Sequence, residues 1–421
     1  MSRSRFVAVI LAAGEGTRLK SARPKVLHEI AGVPMIRHVV AAVQPLNPAA
    51  IIVVVGDGME RVARAVAPAP TVVQSLPRGT GDAVRAARPL LAKILDGGDI
   101  ADVLVLYGDT PLLRTETIAA LLAARWRTPG AAVAVAGMRP VDPTPYGRLV
   151  LDGDGALLRI VEAKDADAEV QAIRLCNGGI MAIDAHRAFD LVDRIGNNNA
   201  KQEFYLTDIV ALARGRGLAS RVAELPAEEL LGVNTRAELA AAEALMQDRL
   251  RRRAMDNGAT LVAPETVFLA ADTSLGRDVV VEPNVVFGAG VTIADNVLIR
   301  SFSHIEGADI ASGAIVGPFA RLRPGAVLEA DVHVGNFVEV KASRLGAGVK
   351  ASHLSYLGDS DIGAGTNIGA GTITCNYDGL NKWRTVIGEH AFIGSNTALV
   401  APVTVGDGAY VATGSVVTAD V

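Results

Sequence analysis

The sequence is poor in cysteine, and it has no long uninterrupted apolar run. Its 421 residues include 2 cysteines, Cys176 and Cys375, which lie far apart with no metal-ligand spacing around either. Their scarcity excludes a disulfide framework and a cysteine-based metal centre, and it predicts reduced thiols in a cytoplasmic protein. No stretch approaches the roughly 20 apolar residues of a membrane span, so we expect no membrane insertion.

The chain also lacks a large excess of either charge. Its formal net charge is −4, which argues against nucleic acid and anionic membranes as partners, because both attract strongly basic proteins. The apolar run at residues 6–13 is short and passes directly into a glycine-rich turn, so we predict a buried strand there and not an export signal. A chain of this length is expected to form two or more domains.

What the sequence does have is a six-residue repeat in its second half. Aliphatic residues recur at this period, and a small or β-branched residue stands two positions before nearly every one of them. A fixed short period predicts a parallel β-helix in which each hexad forms one flat side of a coil. We expect the glycine that often follows the aliphatic residue to permit a positive φ at the corner. These glycines are Gly276, Gly317, Gly335, Gly346, Gly358, Gly363, Gly369, Gly388, Gly394 and Gly406.

The hexad register slips at a few points, and polar residues gather around the slips. Three steps cover five residues; they begin at Ile305, Val340 and Leu357. The step from Thr374 to Ile387 covers 13 residues. Residues 375–385 within it break the apolar pattern, which predicts a projecting loop of the kind that carries function.

One of these polar residues, His353, is a candidate catalytic base. A base with a pKa of about 6.5 is suited to removing a proton from an amine. Three nearby cations that could neutralise a sugar phosphate are Arg323, Lys341 and Lys382. A solvated solenoid face explains each of these residues taken singly, and a trimerisation scaffold without activity is the alternative for the whole β-helix.

The first part of the chain alternates apolar strands with helical patterns. Continuous apolar runs predict a parallel sheet covered by helices on both faces, in an α/β Rossmann-like domain. Ligands of such sheets bind at the carboxyl ends of the strands. The predicted strands are residues 6–12, 51–55, 71–74 and 103–107, and the predicted helices are residues 34–43, 80–91 and 115–127.

A glycine-rich loop with the sequence LAAGEGTR follows the first predicted strand, at residues 11–18. Leu19 stands where a dinucleotide fingerprint has its third glycine, and the Gly-Lys-Ser/Thr of a Walker loop is missing. The glycines still let backbone N–H groups approach phosphate oxygens, and Arg18 and Lys25 add positive charge. An ordinary strand-to-helix turn with surface cations is the alternative for this loop taken alone.

Asp109 follows another apolar strand, in the motif YGD at residues 107–109. A carboxylate at this edge of the sheet is well placed to hold Mg²⁺ against a triphosphate, although a lone aspartate there is more often a helix cap. Residues 74–80 add a third loop with backbone donors at Gly79 and Thr80.

A long helix is predicted between the two patterns. Thr235 and Glu238 form a capping box, residues 237–255 are rich in helix formers, and Asn257-Gly258 is a stop signal. The predicted organisation is an α/β domain over residues 1–234, a linker helix over 235–258 and a β-helix domain over 259–421.

The motifs of the first domain resemble those of the sugar-1-phosphate nucleotidyltransferases in order and spacing. They lie at residues 11–25, 79–80, 107–109, 146–148, 161–162, 176–179 and 232–234. The resemblance implies UTP as co-substrate, with Arg18 and Lys25 acting on its triphosphate and Asp109 and Asn234 as Mg²⁺ ligands. It implies that nucleotide and sugar are bound by Leu11, Ala12, Ala13, Gly14, Lys25, Gln74, Gly79, Thr80, Tyr107, Gly108, Asp109, Gly147, Glu162, Asn177 and Asn234. In-line phosphoryl attack needs positioning and charge neutralisation, so no protein nucleophile is required.

The motifs of the β-helix resemble the acetyltransferase half of the bifunctional family of N-acetylglucosamine-1-phosphate uridyltransferases/glucosamine-1-phosphate acetyltransferases. They lie at residues 321–325, 333–341, 353–359 and 367–379. The resemblance implies a left-handed β-helix and a homotrimer with acetyltransferase sites between subunits. It implies that His353 is the catalytic base and that glucosamine-1-phosphate is bound by Arg323, Lys341, Tyr356 and Asn367. It implies that acetyl-CoA is bound by Ala370, Asn376, Tyr377, Lys382, Ser395 and Thr413, where Thr413 departs from the alanine of many members.

The resemblance covers essentially the whole chain and predicts a two-reaction enzyme. Acetyl-CoA acetylates glucosamine-1-phosphate, and UTP with Mg²⁺ converts the product to UDP-N-acetylglucosamine, a precursor of peptidoglycan and lipopolysaccharide. A nucleotidyltransferase with a scaffold β-helix and an inactive sugar-nucleotide sensor are the alternatives. The chain ends at Val421 in mid-pattern, whereas the family continues with a tail that adds a basic contact to coenzyme A. We therefore expect a C-terminally shortened member that lacks this contact to coenzyme A.

Overall fold

The computed structural model describes residues 5–128, 130–199 and 201–421, and the chain divides into two compact units between Leu245 and Met246. The helix Arg236–Asp256 contains that point. It begins with the predicted capping box, because Glu238 Oε2 accepts from the Thr235 N–H at 2.8 Å and Thr235 Oγ1 accepts from the Glu238 N–H at 3.2 Å. The domain limits at residues 234 and 258 remain a prediction. Among the described residues, no helix combines the length and the apolar character that crossing a membrane requires.

A central sheet organises the first unit. Its strands lie in the order Ala219–Glu224, Ala131–Met138, Cys176–Asp184, Ile100–Tyr107, Arg5–Ala12, Ala50–Gly56 and Thr71–Gln74, with the pair Arg148–Leu151 and Leu157–Val161 attached to Cys176–Asp184. The helices that accompany it are Met35–Val43, Glu60–Val66, Thr80–Ala86, Arg88–Asp96, Thr115–Trp126, Ala168–Gln171, Ala185–Asp193 and Ile209–Gly215.

Both faces of this sheet are buried, because successive residues of a strand point to opposite sides. Val7 and Val9 belong to one apolar core, whereas Ala8 and Ile10 belong to the other. This double burial explains why the strands read as continuous apolar runs. It also places the strand ends, with their polar loops, at the edge where ligands bind.

Two details of the prediction for this unit are wrong. The four predicted strands pair in parallel, as expected, but the sheet as a whole is mixed, because a strand that was not predicted, Cys176–Asp184, runs antiparallel to both of its long neighbours. A strand buried on both faces has the same hydrophobic pattern in either direction, so the pattern could not give its direction. The helix predicted at residues 80–91 is two helices, Thr80–Ala86 and Arg88–Asp96. Pro89 has no N–H to donate to the preceding turn, which interrupts the helix.

The second unit is a parallel β-helix with three flat faces, as the hexads predict. Its repeated aliphatic residues fill the interior; Val316, Leu322 and Val340 are 0% exposed. The first face is formed by Thr260–Leu261, Val280–Val281, Leu298–Ile299, Ile315–Val316, His333–Asn336, Lys350–His353, Asn367–Ile368, Phe392–Ile393 and Tyr410–Val411. The second is formed by Ser274–Leu275, Thr292–Ile293, Ala308–Ile310, Ala326–Leu328, Arg344–Leu345, Ser360–Ile362, Thr385–Ile387 and Val403–Val405. The third is formed by Val286–Phe287, His304–Ile305, Arg321–Leu322, Glu339–Lys341, Tyr356–Gly358, Ile373–Cys375, Ala398–Val400 and Val416–Val417.

The glycines after the aliphatic residues do not have the role that we predicted. Of that set, Gly317 alone has a positive φ, of 98°. Several of the others are glycine because the next coil passes very close. A Cβ on Gly363 would lie 2.5 Å from Glu389 N, and one on Gly369 would lie 2.5 Å from Ser395 N. The contact between coils, and not the backbone angle, therefore excludes larger residues at these positions.

Replacing Gly363 by alanine is expected to destabilise the β-helix by about 1–3 kcal/mol, the usual cost of adding volume to a closely packed site. Gly406→Ala is the matched control, since the nearest atom to a Cβ there is Val421 O at 3.3 Å. Thermal unfolding followed by circular dichroism compares the two variants. Equal transition temperatures would contradict the close approach of coils as the reason for glycine.

Candidate active sites

A cleft of about 210 Å³ lies at the carboxyl ends of the strands Arg5–Ala12, Thr71–Gln74 and Ile100–Tyr107. The structure brings ten of the predicted nucleotide-site residues together around it: Leu11, Ala12, Ala13, Gly14, Lys25, Gln74, Gly79, Thr80, Tyr107 and Asp109. Four lining residues were not predicted from the sequence: Val26, Pro77, Ala83 and Glu203. Pro77 lies in the predicted loop at residues 74–80, although it was not named as a site residue. The contribution of the other three could not be found in the motifs, because it depends on how the helices and loops close over the strand ends.

The loop after the first strand is open to a ligand. A Cβ on Gly14 would meet nothing within 4 Å, so packing within the protein does not require glycine at this position. Gly79 is different, because its φ is 107° and a Cβ there would lie 2.7 Å from Phe204 O. Gln74 Nε2 donates to Gly79 O at 3.1 Å, which fixes this second loop before a ligand arrives.

The predicted metal ligands converge on one cationic group. Lys25 Nζ forms an ion pair with Asp109 Oδ2 and donates to Asn234 Oδ1 at 3.0 Å. Side chains of Lys25 and Asp109 are only 13% and 15% exposed, so water screens this pair weakly. A carboxylate oxygen and an amide oxygen directed at one cation are the donors that Mg²⁺ prefers.

Asp109 and Asn234 alone would supply too few ligands for a metal ion. No group of three or more His, Cys, Asp or Glu with metal-binding geometry occurs in the described ranges. Mg²⁺ commonly keeps waters and takes substrate phosphates as its remaining ligands. The donor set therefore fits a metal that binds together with a triphosphate.

Arg236 joins the glycine-rich loop to the segment of Asn234, a role that the sequence did not reveal. Its Nε donates to Leu19 O at 3.2 Å, and its Nη1 lies 3.5 Å from His28 Nδ1. Burial and the Arg236 guanidinium lower the pKa of His28. Arg18 is exposed on the turn Thr17–Leu19, next to the carbonyl that Arg236 holds.

The three predicted sugar-binding residues form a second cluster. Asn177 N–H donates to Gly147 O at 2.8 Å, and a Cβ on Gly147 would lie 3.6 Å from Glu162 Oε2. Burial raises the pKa of Glu162, whose Oε1 accepts from Thr207 Oγ1 at 3.1 Å. Asn177 Oδ1 accepts from the Gly179 N–H at 3.0 Å. A Cβ on Gly179 would lie 3.2 Å from the ring of Tyr107, so the cluster adjoins the cleft.

Gly108 has a packing role between strand ends. Its N–H donates to Leu11 O at 2.9 Å, and a Cβ there would lie 3.2 Å from Val26. Tyr107, next to it, lines the cleft, and burial raises the pKa of its hydroxyl.

In the β-helix, His353 lies at the end of the strand Lys350–His353, with its Nδ1 2.7 Å from Asn336 Oδ1. Asn336 and His353 occupy equivalent positions on neighbouring coils. Counting on from the paired residues of the next three strands puts three of the predicted acetyl-CoA residues at the same position of the following coils: Ala370, Ser395 and Thr413. The backbone agrees with this alignment, because Asn396 N–H donates to Ala370 O at 2.7 Å and Gly414 N–H donates to Ser395 O at 2.8 Å. Adjacent strands are about 4.8 Å apart, so the column places the histidine one coil from Ala370.

Two predicted phosphate-binding cations are paired with carboxylates. Arg323 Nη1 donates to Glu339 Oε1 at 2.9 Å, and Lys341 Nζ lies 3.8 Å from Asp359 Oδ2. The two carboxylates hold the cations in place and partly neutralise their charge. Asp359 was not predicted as a site residue, because its proximity to Lys341 depends on the stacking of coils.

The two predicted substrate sets of this unit meet at Asn376. Its Nδ2 donates to the hydroxyl of Tyr356 at 3.4 Å and also to the carboxylate of Asp359. Tyr356 belongs to the predicted glucosamine-1-phosphate set and Asn376 to the predicted acetyl-CoA set. Asn367, on the first face, is half-buried between the coils of Lys350 and Phe392.

The predicted projecting loop lies between Ile373–Cys375 and Thr385–Ile387. Tyr377 and Lys382 face each other across it in an antiparallel bridge, and both are exposed. Asp378 organises the loop by accepting from the Asn381 N–H at 2.6 Å and from Trp383 Nε1 at 2.6 Å. These donors lower the pKa of Asp378 to about 2.

Comparisons with known families match both units. The MobA-like NTP transferase domain matches residues 8–175, and the bacterial transferase hexapeptide (six repeats) matches residues 272–307 and 384–419. The hexapeptide match agrees with a left-handed parallel β-helix.

Relatives match along the whole chain. The bifunctional protein GlmU of Paramagnetospirillum magneticum is 54% identical over 100% of this chain and 92% of that protein. The one of Xanthobacter autotrophicus is 56% identical over 100% of this chain and 93% of that protein. The one of Agrobacterium fabrum is 51% identical over 99% of this chain and 91% of that protein.

Proposed function

The chain belongs to the GlmU family of bifunctional proteins, and from that premise we propose which of its residues carry each activity. It is a transferase that acetylates glucosamine-1-phosphate with acetyl-CoA and then joins the product to the uridylyl group of UTP, giving UDP-N-acetylglucosamine and pyrophosphate. The two activities correspond to the nucleotidyltransferase unit and the hexapeptide-repeat unit.

We assign uridylyl transfer to the cleft of the first unit. The phosphate of N-acetylglucosamine-1-phosphate attacks the α-phosphorus of UTP, and the bond to the β-phosphate breaks to release pyrophosphate. Arg18 and Lys25 neutralise the charge that develops on the phosphates, while Gly147, Glu162 and Asn177 orient the sugar. Positioning and charge neutralisation suffice for this in-line reaction.

Asp109 and Asn234 are the residues that we propose to hold Mg²⁺. Their support is the convergence of Asp109 Oδ2 and Asn234 Oδ1 on the ammonium of Lys25. Mg²⁺ bound there would supply further neutralisation of the triphosphate oxygens. Lys25 would then turn from the two side-chain oxygens to the phosphates.

We assign acetyl transfer to the column of His353. The amine of glucosamine-1-phosphate attacks the thioester carbonyl, a C–N bond forms and the C–S bond breaks. His353 takes the proton that leaves the amine and then passes it to the departing thiolate. Arg323, Lys341, Tyr356 and Asn367 bind the sugar phosphate in this proposal. Acetyl-CoA is bound by Ala370, Asn376, Tyr377, Lys382, Ser395 and Thr413.

The observation that carries this assignment is the alignment of His353 with Ala370, Ser395 and Thr413 on successive coils. A scaffold β-helix would not need a histidine held by a neighbouring coil at this position. The test supplies acetyl-CoA and glucosamine-1-phosphate to the protein and follows the free thiol of coenzyme A. Absence of thiol release would favour the scaffold alternative.

We propose a homotrimer for the second unit, supported by an exposed aromatic ladder. Phe302, Phe319 and Phe337 stack with ring centroids 5.0 and 5.2 Å apart, and they are 54%, 46% and 54% exposed. All three have positive φ, an unusual conformation for a bulky residue that often marks a functional position. A contiguous apolar surface of this kind suits contact with another copy.

Phe319→Glu is expected to dissociate the trimer and to reduce acetyl transfer with it, because the sites are proposed to lie between subunits. Val327→Glu is the matched control, an exposed apolar residue on the second face. Light scattering after size exclusion measures the mass. A trimeric Phe319→Glu protein, or a monomeric Val327→Glu protein, would show that the trimer interface does not lie at the ladder.

We propose a cytoplasmic location. The two cysteines are free, Cys176 buried and Cys375 half-buried, which suits a reducing compartment.

A further inference from the structure

Asn336 has no role in the proposed mechanism, yet its side chain holds the proposed base. It ends the strand His333–Asn336, one coil before the strand Lys350–His353. The two side chains are in register, and Asn336 Oδ1 lies 2.7 Å from His353 Nδ1. This is an ordinary hydrogen-bond distance with the ring nitrogen as donor.

A histidine can act as a base at only one of its nitrogens at a time. The neutral imidazole carries one N–H, and the hydrogen bond made by that nitrogen decides which tautomer is present. An acceptor at Nδ1 keeps the proton there and leaves Nε2 with its lone pair. If the amide of Asn336 presented its NH₂ group, the proton would lie on Nε2 and the base would be lost.

We propose that Asn336 is a positioning residue, which accepts the Nδ1–H of His353 and leaves Nε2 free to take the proton of the attacking amine. The inference rests on the proposed acetyltransferase function. In the balanced step, the amine loses one proton to Nε2 as the C–N bond forms, and Nδ1 keeps its own proton throughout. The thiolate then receives the proton from Nε2.

An amide suits this position better than a carboxylate, because His353 must stay neutral to act as a base. A carboxylate at this position would favour the imidazolium, which has no lone pair for the amine proton. The charged and titratable side chains near the pair include His333, on the strand of Asn336, and Lys350, on the strand of His353. Burial, Arg300, His353 and Lys350 together lower the pKa of His333. Neutral Asn336 fixes the tautomer without adding a charge of either sign.

Three variants at this position separate positioning from packing. Asn336→Leu keeps the volume and removes the acceptor, and Asn336→Ala removes both. Each is expected to lower kcat for acetyl transfer by about 10- to 100-fold, the range found when the hydrogen-bond partner that orients a metal-bound histidine is removed, with KM for both substrates unchanged. Asn336→Asp restores an acceptor, so it should recover activity at high pH. Its acid limb should lie at higher pH than that of the native protein, because the carboxylate stabilises the imidazolium.

Nitrogen-15 NMR of the full-length native protein labelled at histidine measures the tautomer directly, with His353→Ala used to assign the signal. We expect a protonated Nδ1 and an unprotonated Nε2 at neutral pH. A proton on Nε2, or an Asn336→Leu protein with native kcat and native pH profile, would overturn the proposal. A native protein without acetyl transfer would instead refute the acetyltransferase assignment, and the catalytic role of Asn336 would fall with it.

Discussion

Replacing His353 by alanine is expected to lower acetyl transfer by about 10²- to 10⁴-fold, the usual contribution of a positioned general base. The amine would then have to lose its proton to water during attack on the thioester. Release of pyrophosphate from UTP and N-acetylglucosamine-1-phosphate should stay at the native rate, since the proposal places that reaction in the other unit. The two rates are measured separately, one as free coenzyme A thiol and the other as pyrophosphate.

His304→Ala is the matched control for this experiment. His304 is an exposed histidine on the third face, three coils before Tyr356. It should leave both rates unchanged. Acetyl transfer that survives His353→Ala would remove this histidine from the mechanism, and loss of both activities would indicate a folding defect.

Replacing Asp109 by alanine is expected to have the second large effect, a loss of uridylyl transfer on the order of 10³-fold. The variant removes a proposed metal ligand and the partner of Lys25. Electrostatic stabilisation by a metal ion contributes several kcal/mol to phosphoryl transfer, and about 4 kcal/mol corresponds to three orders of magnitude in rate. The Mg²⁺ concentration needed for half-maximal rate should also rise.

Asp57→Ala is the matched control, because Asp57 is exposed and directly follows Ala50–Gly56, another parallel strand of the same sheet. It shares the strand-end position without lining the cleft. Pyrophosphate release should be native in this variant and nearly absent in Asp109→Ala. Native release and native Mg²⁺ dependence in Asp109→Ala would exclude the metal role.

The β-helix could be predicted because its core imposes a strict spacing on the sequence. Each coil admits one large aliphatic side chain per face, so the period of six is visible along the chain. The slips were informative for the same reason. The step between Thr374 and Ile387 exceeds two hexads by one residue, and the structure places a projecting loop there.

Contacts between coils could not be predicted from spacing alone. The glycine at Gly363 is required by the atoms of the following coil, whereas the sequence suggested a backbone reason. The partnership of Asn336 with His353 likewise depends on register across 17 residues. This contact can be recognised only when the stacking of the coils is known, because a register shift of one residue would separate the two side chains.

In the first unit too, local motifs could be predicted from the sequence, whereas contacts between distant parts of the chain could not. Loops with glycines and a strand-end carboxylate were visible as motifs, and the structure gathers them at one sheet edge. Arg236 was not visible in this way, since its contacts with Leu19 and His28 join parts of the chain more than 200 residues apart. The direction of Cys176–Asp184 was hidden because both faces of that strand are buried.

The central claim is that one chain carries two reactions at separate sites, and a mixing experiment tests it most directly. His353→Ala and Asp109→Ala proteins, each incubated alone with glucosamine-1-phosphate, acetyl-CoA, UTP and Mg²⁺, should form almost no UDP-N-acetylglucosamine. Mixed together, they should form it steadily, because the Asp109→Ala protein releases N-acetylglucosamine-1-phosphate that the His353→Ala protein uses. A mixture that stays inactive, while each variant retains its own single reaction, would contradict two independent sites joined by a diffusible intermediate.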